Sequence, residues 1–240
     1  MVPSQTLSRP WRGRRRAGIV LRMAELDITD RSRVRRRAQR GSYDFSDIAA
    51  ILDAAPMAHV AFAAEGRPFC TPTLHWRIDD RVYFHGAPAG RMIKETSAGA
   101  EVCLVASILD GFVLARSAFH HSVNYRSVVV FGAPRVEEGA DKAAALEAFI
   151  EGLFPGRSPH IRPASASELA ATTVSSLPID EASAKVRDAG VADAEADMGQ
   201  AVWAGVLPIG LQLGAPVPDA GCDPAAPGRP VELGRALVRG

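Results

Sequence analysis

Three short stretches carry side chains whose types and spacing could do chemistry: TPTLHWR at 71–77, YFHGAPAGRMIK at 83–94 and FHHSVNYRSVVVFG at 119–132. In one extended strand, Thr71, Thr73, His75 and Arg77 share a face, and Pro72, Leu74 and Trp76 share the other. Pro72 has no N–H to give to a ladder, so the stretch suits a sheet edge, or a break that leaves backbone groups for a ligand. A flat heteroaromatic ring with alternating donors and acceptors could use such groups. In the second stretch a strand ends at His85, Gly86 permits a tight turn, and a helix over 88–98 starts at Pro88. The open N–H groups of that helix start, with Arg91 in its first turn and Lys94 three residues on, could hold a phosphate. The competing reading pairs Arg91 with Glu95 on a solvated face.

The third stretch places His120 and His121 side by side. In a strand they point to opposite faces and cannot both bind one metal ion, and no Asp, Glu or Cys with ligand spacing stands near them. No metal site is expected. Asn124 and Arg126 then share one face of the following strand, Tyr125 and Ser127 the other. Arg126, two residues before the apolar run VVV, needs an anionic partner, either a carboxylate or a phosphate.

These stretches need elements to position them. DFSDIAAILDA (44–54) predicts a helix capped by Asp44 or Ser46, with Phe45, Ile48, Ile51 and Leu52 as its apolar stripe. MAHVAFAA, FCTPTLHWRI and RVYFHG predict strands, joined by turns at EGRP and at Asp79-Asp80. EVCLVASIL predicts a buried strand that stops at an Asp110-Gly111 turn; YRSVVVFGAPRVE predicts a β-branched strand. DKAAALEAFIEGLF (141–154) predicts a helix, and ATTVSSLPI, SAKVRDAG and AVWAGVLPI predict the last strands. Many short strands joined by hairpins, with few helices, define a mainly β chain: a mostly antiparallel β-barrel or curved sheet with helices at its ends.

Charge divides the chain. Residues 1–40 hold twelve arginines against three acidic groups, a balance of +9, whereas residues 41–240 carry −8, which leaves +1 in total. The mildly acidic body argues against nucleic-acid binding. Residues 1–40 read as a basic leader without structure, with a basic arm for RNA, DNA or acidic lipid as the other reading. WRGRRRAGIVLRMAELD resembles a twin-arginine signal, but its apolar stretch is cut short by Arg22. Met23 offers a second start. After residue 210 the Pro/Gly-rich chain, 211–240, reads as a tail or arm. No apolar run approaches the ~20 residues that cross a bilayer. Three dispersed cysteines, Cys70, Cys103 and Cys222, fit a reducing, cytoplasmic setting. GxSxG, GxxxxGK[ST] and a strand-linked GxGxxG are missing, which removes the usual signatures of serine hydrolases, P-loop NTPases and Rossmann enzymes.

TPTLHW, YFHGAPAGRMIK, LDGFVLARSAFHHSVNYRSVVVFG and VWAGVLPI together resemble the pyridoxamine 5′-phosphate oxidase-like flavin proteins, in the branch with the nitroimidazole-resistance (Nim-type) proteins. The resemblance spans roughly residues 36–210. It implies an FMN-binding split β-barrel over 41–210, working as a homodimer with flavin at the subunit interface. It nominates Thr71, Pro72, Thr73 and Leu74 along the isoalloxazine edge, and His85, Gly86 and Arg91 at the ribityl phosphate. Many relatives carry lysine after that arginine; here the position is Met92, so Lys94 or Arg126 would have to substitute. Ser117, Tyr125, Arg126 and Ser127 are implied as pocket lining, and Trp203 as a flavin neighbour or a core or interface tryptophan.

The activity this implies is an FMN-dependent oxidoreductase acting on a small molecule, such as a nitroaromatic acceptor. The flavin carries the redox chemistry, and His75 or His85 could relay a proton near the ring. The alternative is a non-catalytic protein that stores or senses flavin or haem in the same barrel.

Overall fold

The computed structural model describes residues 25–223. Turn chemistry sets the first half of the fold. Asp44 caps helix α1 (Phe45–Ala54) by accepting a hydrogen bond from the Ser46 N–H at 2.8 Å, and α1 buries Ile48, Ile51 and Leu52. Strands β2 (Ala58–Ala64) and β3 (Arg67–Thr73) join through Glu65 and Gly66, both at positive φ, the geometry of a two-residue hairpin turn. β4 (His75–Ile78) and β5 (Arg81–Gly86) join through a two-residue turn at Asp79-Asp80, as the sequence predicts.

The stretch 69–78 does not form the single strand expected of it. β3 ends at Thr73 and β4 begins at His75, and the two strands belong to different sheets. A seven-stranded sheet runs β1 (Gly41–Ser42), β10 (Glu181–Arg187), β7 (Ser122–Gly132), β6 (Val102–Leu114), β2, β3, with β11 (Gly205–Pro208) also on β6. A four-stranded sheet runs β4, β5, β9 (Thr173–Pro178), β8 (Arg135–Glu137). Every pairing is antiparallel. The chain is thus mainly β, with two sheets facing each other as the halves of a split barrel.

Between the sheets lies one core, with Val60, Phe62, Leu104, Val128 and Val130 from the larger sheet and Val82, Phe84 and Leu177 from the smaller. A fully buried side chain such as Phe84 contributes about 1.5–3 kcal/mol. Helix α2 (Arg91–Ser97) starts three residues after Pro88, and Pro88 itself stays in the preceding turn. Helix α3 (Gly139–Leu153) covers the other face of the small sheet, where Trp76, Tyr83 and Val174 meet Ala145, Leu146 and Phe149. Helix α4 (Ala166–Ala170) carries a capping box of Ser165 and Glu168, a short S-x-x-E signal that the sequence displays.

Two further expectations change. Asp110-Gly111 makes no turn: β6 runs through it for 13 residues, and the register against β7 shifts between Leu109 and Gly111 as a β-bulge. Gly111 is required there because a Cβ would lie 2.9 Å from the Leu207 carbonyl oxygen of β11. His120 and His121 lie outside the strand. His120 ends a 3₁₀ turn (Ala118–His120), and His121 precedes β7.

Residues 25–40, part of the expected basic leader, lie along the barrel. Arg31 bridges Glu101 at 2.9 Å and Glu181, and its guanidinium sits 5.0 Å from the Phe131 ring centre. The twin-arginine-like stretch and Met23 fall outside the described residues, as does residue 224 onward of the tail; residues 211–223 form no helix or strand.

Candidate functional site

β3 is the outermost strand of its sheet, so one side of its backbone has no strand partner among the described residues. Alternation puts Phe69, Thr71 and Thr73 on one face and Pro68, Cys70 and Pro72 on the other. Phe69 stacks on the buried Phe62 at 5.7 Å, and the Arg91 guanidinium lies 4.2 Å from the Phe69 ring centre. The structure therefore brings Arg91 to the same strand face as Thr71 and Thr73. Neither Arg91 nor Lys94 forms an ion pair among the described residues, and both are exposed. Phe69 is absent from the sequence-nominated set, although its spacing from Thr71 and Thr73 marks it.

Gly86 is the last residue of β5 and makes no turn. A Cβ there would sit 2.9 Å from Ile93 Cγ1, so glycine lets α2 pack directly on the strand. Met92, directly after Arg91, is buried beside Ile93, and Lys94 is exposed. Because α2 has only seven residues, the anion-attracting charge here belongs to the two cationic side chains more than to the helix axis.

The two histidines nominated for proton relay lie elsewhere. His75 is fully buried, and its Nε2 donates to the Leu52 carbonyl oxygen at 2.9 Å, tying β4 to the end of α1. His85 points to the α3 side of β5, opposite to Gly86 and Ile93. Its ring lies 5.8 Å from Trp76 and 5.2 Å from Phe149. Burial pushes its pKa below the ordinary histidine value, which keeps the ring neutral at pH 7. His85 Nδ1 and Trp76 Nε1 are buried without a hydrogen-bond partner.

On β7 the nominated residues part by face. Arg126 forks onto Asp110, with Nε 3.0 Å from Oδ2 and Nη2 2.6 Å from Oδ1, so a carboxylate answers the charge that the sequence leaves open. Ser127 donates from Oγ to the Lys185 carbonyl at 3.3 Å, and Tyr125 is half-buried beside Leu109 and Arg187 in register. The buried Arg187 bonds Asn124, another pairing the sequence does not reveal. Ser117 lies under the paired histidines: its Oγ is 2.7 Å from His120 Nδ1, and its carbonyl accepts from His121 Nδ1 at 2.9 Å. Leu74 stands exposed at the crossing between sheets, and Trp203 lies largely in solvent before β11, over Gly205.

The outward face of the large sheet is apolar around the exposed His59. Ala61 and Ala63 of β2, Pro68, Cys70 and Pro72 of β3, and Cys103 and Val105 of β6 lie in neighbouring rows. Beside them a groove of about 470 Å³ is lined by Phe69, Cys103, Phe131 and Arg31.

Two antiparallel sheets split around one core, with an open edge strand beside an unpaired arginine, define the class of fold. The chain belongs to the pyridoxamine 5′-phosphate oxidase family, whose model matches residues 44–186. Among solved structures, the flavocytochrome Anf3 of Azotobacter vinelandii is 44% identical, with TM-score 0.78 over 83% of this chain and 93% of that one. The FAD and haem binding protein of Mycobacterium smegmatis is 32% identical, with TM-score 0.75 over 78% of this chain and 93% of its own. A Bacteroides thetaiotaomicron protein named for 5-nitroimidazole antibiotic resistance shares the fold at 23% identity and TM-score 0.50, over 60% of this chain and 84% of that one. No curated protein matches the chain.

Proposed function

We propose that this chain is a flavin-dependent oxidoreductase of small molecules, active as a cytoplasmic homodimer, and that it also carries haem. One observation of this structure carries the flavin reading: Arg91, free of any carboxylate among the described residues, lies over Phe69 on the face of the open strand that presents Thr71 and Thr73. A phosphate ester takes the guanidinium, with Lys94 as a second charge one turn on. The backbone and hydroxyls of Thr71, Pro72 and Thr73 meet the polar edge of a flat ring. Tyr125 and Ser127, on the outward face of β7, serve the pocket from the other subunit when two outward apolar faces meet. Arg126, held by Asp110, has a supporting part, and His75 has a structural one.

When bound, the flavin supplies the electron transfer; the chain binds it, orients it and excludes water from it. Haem enters this reading because one relative above 30% identity is named a flavocytochrome and another is named for FAD and haem. The cytoplasmic setting is supported by three unpaired cysteines. No helix among the described residues is long and apolar enough to cross a membrane.

The test is purification without added cofactors, followed by mass spectrometry of what denaturation releases. A flavin mass supports the reading, and the mass itself separates the FMN implied by the sequence resemblance from the FAD named for the relative. Oxidation of NAD(P)H or reduction of a nitroaromatic by the yellow protein supports the enzyme; a colourless protein that takes up no added flavin overturns the reading.

A further inference from the structure

A histidine binds haem iron through an unprotonated ring nitrogen, so the bond made by its other nitrogen decides whether the ring is ready. The chain has six histidines. His75 is fully buried with Nε2 committed to the Leu52 carbonyl. His85 has its Nδ1 buried and its ring packed between Trp76 and Phe149 under α3. His59 and His160 are exposed, with no hydrogen bond fixing either ring among the described residues. His120 Nδ1 faces the Ser117 hydroxyl, which can donate or accept, so its tautomer is open; Phe119 also stacks edge-on against it at 5.3 Å.

His121 differs from all of these. Its Nδ1 lies 2.9 Å from the Ser117 carbonyl oxygen, and a carbonyl only accepts, so the proton of the neutral ring sits on Nδ1. Nε2 is left as a bare lone pair on an exposed side chain. The ring emerges one residue before β7, where Ser122 pairs with Val113 of β6. At this end of the sheet, apolar side chains stand in solvent: Phe119 at 90% exposure, Trp203 at 65% and Leu207 at 54%, with Phe112 paired to Leu207. A porphyrin is a large apolar plane that needs both an axial nitrogen and apolar surface to lie against.

We infer that His121 is the axial haem ligand of this chain, binding iron through Nε2, with the Ser117 carbonyl as the group that orients it and the exposed apolar side chains at the ends of β6 and β11 as the surface for the macrocycle. This rests on the haem half of the proposed function.

The test titrates ferric haem into the full chain and into His121→Ala, His121→Met and His120→Ala, read by the Soret and visible bands, cryogenic EPR and haem stoichiometry. Wild type takes up one haem per chain with a histidine-ligated spectrum. His121→Ala keeps its flavin and its far-UV spectrum, loses haem affinity by at least about tenfold and regains the wild-type bands on addition of imidazole. His121→Met keeps haem with altered bands and a raised reduction potential; His120→Ala is spectrally wild type. An unchanged spectrum in both His121 variants overturns this assignment while leaving haem binding intact. Failure of wild type to saturate with haem overturns both, and leaves the flavin reading standing on the released flavin.

Discussion

Arg126 and Asp110 form a two-pronged ion pair across β7 and β6, at the point where the bulge displaces the register. Both are partly shielded, with 20% and 31% side-chain exposure, so the pair is worth more than an open surface bridge and less than a buried one. Asp110→Asn and Arg126→Met should each cost about 1–2 kcal/mol of stability, read as a shift in denaturant midpoint. A double variant less destabilised than the sum of the two shows the coupling. Additive losses would mean that Arg126 acts elsewhere.

Arg91→Ala should weaken flavin binding by roughly tenfold to a hundredfold, the worth of one charge-assisted hydrogen bond. Arg91→Lys should recover part of it. The flavin-free protein should melt nearly as before, since the substitution removes only a cation–π pair of about 0.5–1 kcal/mol from the folded state. Fluorescence titration with flavin checks this.

Glu137 gives the fold an acid-sensitive point. Burial pushes its pKa up, but the Ser176 hydroxyl and the Arg135 guanidinium outweigh burial and hold it below the ordinary carboxyl value. A carboxyl depressed on folding contributes stability that is fully present above its unfolded pKa of about 4.3 and is lost as pH falls through the lower folded value. Glu137→Gln should therefore melt below wild type at pH 7, and the gap should narrow as pH falls below about 4. A gap that does not change with pH would show that the charge of Glu137 is not what matters.

Gly86→Ala should destabilise the protein by about 1–3 kcal/mol, several degrees in Tm, because the new methyl overlaps Ile93. Gly99→Ala, at a positive φ but with open space around it, should cost less than the clash does. Equal losses would remove the packing argument.

If the chain forms the proposed dimer, Val105→Arg, on the outward face between His59 and Val129 in register, should yield a monomer by light scattering. In the proposed arrangement flavin is lost with it. A variant that remains dimeric would place the interface elsewhere.

Hairpins, helices and the mainly β class can be read from the chain because each rests on local chemistry: a capping Asp44, a turn at Asp79-Asp80, a β-branched run at 128–130. What cannot be read depends on which layer covers a strand. TPTLHWR alternates correctly, yet the chain changes sheets at Leu74, and periodicity carries no mark of that crossing. His85 and Gly86 are adjacent in sequence and suggest one shared role, but only the positions of α2 and α3 reveal that they face opposite sides of β5. Asp110-Gly111 resembles a turn because bulges and turns use the same residues. That ambiguity hides Asp110 as the partner of Arg126.

The crossing at Leu74 has a mechanical consequence. Thr73, at the end of the open strand, is two residues from His75, which is fully buried and hydrogen-bonded to the Leu52 carbonyl. One end of the open edge, which the proposed function assigns to the flavin, is thereby anchored like a beam set in a wall, while the other end runs out to the Glu65-Gly66 tip. Tolerance to ligand shape should then grow along β3 with distance from His75, so that bulkier rings are accommodated by bending at the Phe69 end while the Thr73 end keeps its position.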